Sequence, residues 1–292
     1  MTETIKIGCK INAYLKVVER LPNGYHNLSS LFLPLPFPED TISINYDSNN
    51  AKEGEIITNS LGDNNVPSGE DNIVTKAAKL YCQTYNITPK FEITIEKKIP
   101  SAAGLGGGSA DAAAIFNLLE NKYHFAQENL PNLAVKIGAD VPFFLNNKPA
   151  IVTGIGQHLQ YVDNITIPPL MLVSSDFPVS AKWAYTHLDK SNIGVDNSNR
   201  LEKMITALQT NDIEMFASCC HNDLAIAVME KFPVLRLLKQ DMLDAGALTV
   251  LMSGSGPTLF AVAKDYNTLL KIQEAVHKHS HIRTFIPLER NK

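Results

Sequence analysis

Apolar and polar side chains alternate through much of IKIGCKINAYLKVV, residues 5–18, which predicts a half-buried strand rather than a helix. The alternation stops at LPNGY, residues 21–25, where Pro22 and the Asn23-Gly24 pair mark a turn, and strands are expected again over 28–35 and 41–46. Residues 47–70 are polar, rich in Asn, Gly and Asp, and read as a loop or weak hairpin. Asp71 or Asn72 then caps a helix carrying apolar residues at helical spacing through IVTKAAKLYCQTY. FEITIEKKI, residues 91–99, alternates as a strand. Pro100 opens a small-residue loop, and SADAAAIFNLLENKY, from Ser109, predicts a strong helix. Another helix is expected over 128–137, followed by GADVPFFL and a strand-like AIVTGIG from residue 150.

Past that point the pattern predicts a strand at 170–174, short helices between 181 and 245, strands at 248–252 and 258–263, and an amphipathic helix at 266–277. DKSNIGVDNSN, residues 189–199, is the most loop-like stretch of this half. Mixed strands and helices on both sides of residue 156 predict two domains, 1–156 and 157–292, of α/β character with an α+β second half. The chain's 292 residues and 45% hydrophobic content are enough for two buried cores.

Charge narrows the partners. Lys plus Arg number 26 against 30 Asp plus Glu, a net charge of −4, so no global positive field favours a nucleic acid. Cys9, Cys82, Cys219 and Cys220 form neither a C-x-x-C pair nor a zinc spacing, which fits a reducing cytoplasm. The N-terminus lacks a basic region followed by a long apolar core, and no run approaches the ~18 apolar residues of a membrane span, so a soluble, unexported protein without a membrane partner is expected.

The chemistry concentrates in PSAAGLGGGSADAA, residues 100–113, where Gly104, Gly106, Gly107 and Gly108 stand immediately before a helix. Glycines permit positive φ and close backbone approach, and the free amides of a helix start attract an anion that the helix dipole also favours. A β-branched residue at Gly107 is expected to be excluded by a positive φ. The loop is not a P-loop, lacking Gly-Lys-Ser/Thr, nor a Rossmann fingerprint, whose third glycine falls on Ser109. Taken alone, the cluster also fits a hinge or a tight turn.

Context separates these readings. Pro100, Gly104, Leu105, Gly106, Gly107, Gly108 and Ser109 resemble the ATP-binding motif of the GHMP kinases, the superfamily of galactokinase, homoserine kinase and mevalonate kinase. Three further segments, Lys10-Ile11-Asn12 with Leu15, Asn23-Gly24-Tyr25-His26-Asn27-Leu28, and Gly138-Ala139-Asp140-Val141-Pro142-Phe143-Phe144, resemble one of its families, the 4-diphosphocytidyl-2-C-methyl-D-erythritol kinases of non-mevalonate isoprenoid synthesis. Ser253-Gly254-Ser255-Gly256 is similar to a C-terminal loop of the superfamily. The family has Pro-Ala where this chain has Gly8-Cys9.

The resemblance implies a two-domain GHMP kinase fold, its first domain like domain 2 of ribosomal protein S5 and its second ferredoxin-like, with ATP and Mg²⁺ as cofactors and a cytidine-diphosphate-linked alcohol as substrate. It implies a catalytic pair, Asp140 accepting the hydroxyl proton and Lys10 offsetting charge on the transferring phosphoryl group, which general-base and electrostatic catalysis both allow. Without the family, Asp140 reads as a helix cap and Lys10 as an edge-strand surface residue. Asn12 is implied as a neighbour of the substrate hydroxyl, Tyr25 and His26 as the cytosine site, and Tyr185 in AKWAY as the opposite face of the sandwich, with Trp183 an alternative that fits a core equally well. The phosphate site is implied at Pro100 and Gly104 through Ser109, with Asn72 toward adenine. Asp111 has two readings, an Mg²⁺ contact or an acidic residue favoured by the helix dipole. His277, His279 and His281 have a ligand-like spacing but read better as solvated residues beside a helix end.

Three other functions share parts of this pattern: a homoserine- or mevalonate-type kinase would keep the loop without Asn-Gly-Tyr-His, a decarboxylase would use the same ATP site, and a non-catalytic ATP-binding regulator would lack Lys10 and Asp140.

Overall fold

The computed structural model describes the chain apart from residues 1, 64–65, 126–127, 189–192, 195, 197 and 288–292. Much of the expected loop at 189–199 therefore lies outside the described residues. Two compact units form, one of residues 1–9, 38–101 and 106–148, the other of 10–37, 102–105 and 149–292. This division is less simple than a single cut at 156/157, because the first two strands are long enough to serve both units.

Those strands are β1 (Thr2–Arg20) and β2 (His26–Tyr46). The expected strands at 28–35 and 41–46 are thus one strand. Pro34, Pro36 and Pro38, which would interrupt a paired strand, fall between the stretch bonded to one partner at Leu28–Phe32 and the stretch bonded to another at Thr41–Tyr46.

In the first unit the end of β2 is followed along the chain by β3 (Glu55–Leu61), a 3₁₀ turn at Gly69–Asp71, α1 (Ile73–Thr84), β4 (Lys90–Glu96), α2 (Gly107–Tyr123), α3 (Leu130–Ile137) and α4 (Val141–Asn146). β4 pairs antiparallel with β2 and parallel with β3. β3 was not expected: it lies in the polar stretch read as a loop, and only Ile56 and Thr58 of its side chains are buried, so its strand state depends on the ladder with β4 rather than on its own pattern. α1 packs against β3 and α2, and α2 against α3 and α4. α2 buries nearly every residue from Ala110 to Leu119, its alanines letting neighbours approach on several sides.

The second unit contains β5 (Ala150–Gly154), β6 (His158–Tyr161), β7 (Leu170–Ser175), α5 (Ala181–Thr186), α6 (Arg200–Thr210), α7 (Ile213–Cys219), β8 (His221–Asn222), α8 (Ala225–Lys231), α9 (Val234–Asp244), β9 (Thr249–Met252), β10 (Leu259–Val262), α10 (Tyr266–Val276) and β11 (Ile282–Phe285). β7, β9, β10 and β11 make an antiparallel sheet in the order β11-β7-β10-β9. β7 and β10 are buried along their whole length, the central strands of a sheet covered by α9 and α10. β6, β8 and β11 are too short or too polar for the sequence pattern to predict. In the same unit β1 pairs with β8, β2 with β5, and β5 with β6.

Candidate active site

The glycine loop leaves β4 through Ile99 and Pro100 and takes positive φ at Ala102, Gly104 and Gly106. A Cβ on Gly104 would lie 2.1 Å from the Ser253 carbonyl oxygen, so only glycine fits there. Gly106, with φ 74°, is the N-cap of α2, which begins at Gly107, two residues before the expected start. The first helical bond runs from the Ala110 amide to Gly106 O, leaving the amides of Gly107, Gly108 and Ser109 without an acceptor inside the helix. Gly108 is exposed and Ser109 half-buried, so this positive end of a helix faces outward and is chemically suited to phosphate.

Gly107 departs from expectation. Its φ is not positive; instead a Cβ would meet Ile99 Cγ2 at 2.8 Å, so the restriction on side chains there is packing against β4's exit.

In the second unit, Lys10 and Asn12 lie two residues apart on β1 and therefore on one face. Both are buried, against the reading of Lys10 as a surface residue. Lys10 Nζ donates to Asn12 Oδ1 at 2.6 Å and to Gly104 O at 3.4 Å, and lies 4.5 Å from the centre of the Phe32 ring. Asn12 Nδ2 donates to Ser30 Oγ at 3.1 Å, and the Asn12 amide donates to Ser253 Oγ, whose own proton goes to Gly104 O at 2.9 Å. Ser30 was missed as a site residue, being a serine on a strand with no local signal; Ser253 lies in the 253–256 loop, whose sequence resembles one of the superfamily, but its contact with Asn12, 241 positions away, was not legible. Ser30 holds the Asn12 side-chain amide, whose oxygen takes the Lys10 ammonium, while Ser253 ties the Asn12 backbone N–H to Gly104.

In the first unit, Asp140 is the N-cap of α4, as its position before VPFFL suggests, but its side chain makes no capping bond and is half-buried. Pro142 occupies the first turn, where its missing N–H costs nothing. Ser109 reaches this segment: its Oγ lies 4.0 Å from where a Cβ on Gly138 would stand. Asn72 caps α1, its Oδ1 accepting from the Val74 amide and its Nδ2 donating to Pro67 O, both at 2.8 Å. That buried amide is committed to local structure at both ends.

Asp111 is buried and accepts from Lys97 Nζ at 2.7 Å, while Lys97 also donates to Asp40. Burial above all, and then the Asp40 charge, push the Asp111 carboxyl well above the usual carboxylate range, against the pull of Lys97. Lys97 and Asp40 were not singled out from sequence; Lys97 sits in a Lys-Lys pair at a strand end, where a solvated head group is the ordinary reading.

At the other end of β1's neighbourhood, the Asn23-Gly24 turn forms as expected, with Gly24 φ at 85° and the Tyr25 amide bonded to Asn23 Oδ1. Tyr25 is 60% exposed, so it is no core residue. His26 is buried and stacks on Tyr185, with centroids 5.2 Å apart. Burial, and then the Arg20 charge, hold the His26 imidazole below its usual range, so it is neutral at pH 7 and has one donor and one acceptor nitrogen. Trp183 stacks on His187 and takes the Lys231 ammonium 3.9 Å over its ring while also packing on the core. The three C-terminal histidines do not converge: His279 bonds to Asp241 and His281 pairs with Asp176, and among the described residues no cluster of three or more His, Cys, Asp or Glu is arranged to hold a metal.

Known proteins share this organisation. Residues 72–148 match the GHMP kinases N terminal domain and residues 204–282 the GHMP kinases C terminal. The 4-diphosphocytidyl-2-C-methyl-D-erythritol kinase of Lawsonia intracellularis (strain PHE/MN1-00) is 33% identical over 298 residues, covering 98% of this chain and 96% of its own. A solved 4-(cytidine 5'-diphospho)-2C-methyl-D-erythritol kinase superposes with a TM-score of 0.79 at 28% identity, over 98% of this chain and all of that one. Homoserine kinase from Cytophaga hutchinsonii ATCC 33406 superposes with a TM-score of 0.76 over 98% and 95% of the two chains, a likeness of fold at 22% identity.

Proposed function

The chain belongs to the GHMP kinases, and on that premise we propose that it transfers the γ-phosphate of ATP to the 2-hydroxyl of 4-diphosphocytidyl-2-C-methyl-D-erythritol. The observation that carries the choice of substrate is the exposed Tyr25 beside a buried, neutral His26 stacked on Tyr185. A flat base gains ~1 to 3 kcal/mol from an aromatic face, and a neutral imidazole meets a donor-acceptor edge such as cytosine's without a charge to desolvate.

In this reading Asp140 takes the proton of the hydroxyl as its oxygen bonds to the γ-phosphorus, the bond from that phosphorus to the β,γ-bridging oxygen breaks, and ADP leaves. Lys10, held by Asn12 and Gly104, offsets the negative charge that spreads over the phosphoryl oxygens. Asn12 orients both the ammonium and the substrate hydroxyl. Gly104 through Ser109, entered at Pro100, supply backbone amides and the Ser109 hydroxyl to the ATP phosphates, while Asn72 shapes the adenine side through the turn it caps rather than through its own amide. Mg²⁺ brought with the nucleotide would offset charge on its phosphates; in this reading the Asp111 carboxyl is given to Lys97. No described helix is long and apolar enough to cross a membrane, and the four cysteines form no disulfide; we place the enzyme in the reducing cytoplasm on the cysteines.

The test is ADP release coupled to a spectrophotometric assay with 4-diphosphocytidyl-2-C-methyl-D-erythritol beside mevalonate, homoserine and galactose. Turnover of the cytidine substrate alone is expected; preference for any of the others overturns the assignment.

A further inference from the structure

Three ionisable side chains lie beneath the start of α2 and are almost fully buried: Lys97, Asp40 and Asp111 expose 3%, 0% and 4% of their side chains. We propose that they are positioning residues for nucleotide binding, clamping the first turns of α2 onto β2 and the exit of β4 so that the helix start keeps the orientation that receives phosphate. This rests on reading Gly104 through Ser109 as the phosphate loop.

The connections run to three elements. Lys97, at the end of β4, donates to Asp111 on the second turn of α2 and to Asp40 on β2. The other Asp40 oxygen accepts the backbone amides of Lys98 at 2.6 Å and Ile99 at 2.9 Å, fixing the chain just before Pro100. Gly107 rests on the same assembly, since a Cβ there would lie 2.8 Å from Ile99 Cγ2 and 3.4 Å from Lys97 Nζ. The clamp thus touches both sides of the loop without reaching its surface.

Energetics favour a positional role over a stabilising one. Two buried carboxyl groups share one ammonium, and Asp111 Oδ1 has no hydrogen-bond partner among the described residues. Replacing such groups with packed apolar side chains is often neutral or stabilising, so what these groups add is the direction of their hydrogen bonds. Their bonds hold Lys97 and, against it, Gly107 in one place, and small displacements at a site that binds by backbone amides are costly to binding.

The full-length chain is titrated calorimetrically with β,γ-imido-ATP and, separately, with cytidine diphosphate, and its melting temperature is recorded. Asp111→Ala is expected to weaken the nucleotide analogue about tenfold or more while changing cytidine diphosphate by less than about twofold. Asp111→Asn, which still accepts from Lys97, is expected to recover analogue binding to within about threefold. Folded Asp111→Ala with unchanged analogue affinity, or with both ligands weakened alike, overturns the proposal. If Asp111→Ala does not fold, Asp111→Ser is judged by the same criteria. Gly106→Ala, strained at φ 74°, tests the underlying reading: unchanged analogue affinity there overturns the phosphate loop itself, whereas weakened binding there beside unaffected Asp111→Ala overturns the clamp alone.

Discussion

Gly104 and Gly107 stand three residues apart in one loop and are constrained for different reasons. Gly104 has a positive φ and no room, with the Ser253 carbonyl 2.1 Å from a Cβ, whereas Gly107 has helical backbone and meets the Ile99 side chain, which has some freedom to shift. Gly104→Ala is therefore expected to lower both the melting temperature and ATP affinity more than Gly107→Ala, and the reverse order in a thermal scan would refute this account. Tyr25→Ala is expected to weaken the cytidine ligand by ~1 to 3 kcal/mol, about 5- to 150-fold, with the melting temperature nearly unchanged because the ring is already 60% exposed; Tyr25→Phe costs far less. A marked drop in melting temperature would show packing that the structure does not contain. Asp140→Asn is expected to keep the fold and bind ATP but lose ~10² to 10⁴-fold in kcat, since an amide accepts no proton; near-normal turnover removes Asp140 from the mechanism. The glycines, Asp140 and Tyr25 were all legible as motif positions, whereas the contacts of Ser30 and Ser253 with Asn12 and of Lys97 with Asp111 were not, because they form only when distant segments meet.

At the scale of the element, α1 shows how a residue in a functional motif also does local structural work. The Asn72 side chain accepts from Val74 and donates to Pro67, so Asn72→Ala is expected to cost about 0.5 to 2 kcal/mol of stability through the lost cap, measured by urea unfolding, whereas Asn72→Asp keeps the acceptor and loses less. Equal losses in the two variants would mean that the bond to Pro67 matters more than the cap. The long helices and the alternating strands β1 and β4 were readable because one face of each is buried by its own pattern. β3 was not, since a strand with two buried side chains depends on its partner, and β2 read as two strands because prolines mark breaks unless their missing N–H groups face away from a ladder.

For the whole molecule, two buried aspartates give pH dependences of opposite sign. Asp223, although buried, is held below the usual carboxylate range by His221, the Val17 amide and Lys16, so its stabilisation is present above the unfolded value of about 3.9 and is lost as pH falls through the lower folded value. Asp111 is raised, mainly by burial, so the folded state keeps a proton that the unfolded chain gives up, and stability is lost as pH climbs above about 3.9. Melting temperatures from acid to neutral pH are expected to show Asp223→Asn falling behind the parent at neutral pH and drawing level in acid, while Asp111→Asn gains on the parent as pH rises. Parallel curves for all three proteins would contradict both assignments.

By itself the sequence determined the glycine loop, the turn before Tyr25 and most helices, because each is written in neighbouring residues whose backbone preferences act locally, and its motifs carried the resemblance to the family. Only the tertiary structure decided that Lys10 is buried rather than solvated, that Asp111 is paired with Lys97, and that residues 10–37 and 102–105 join the second compact unit. Burial and charge pairing are properties of segments far apart in the chain, and the free energy of a buried ammonium or carboxylate depends on which partner arrives, which no local pattern encodes.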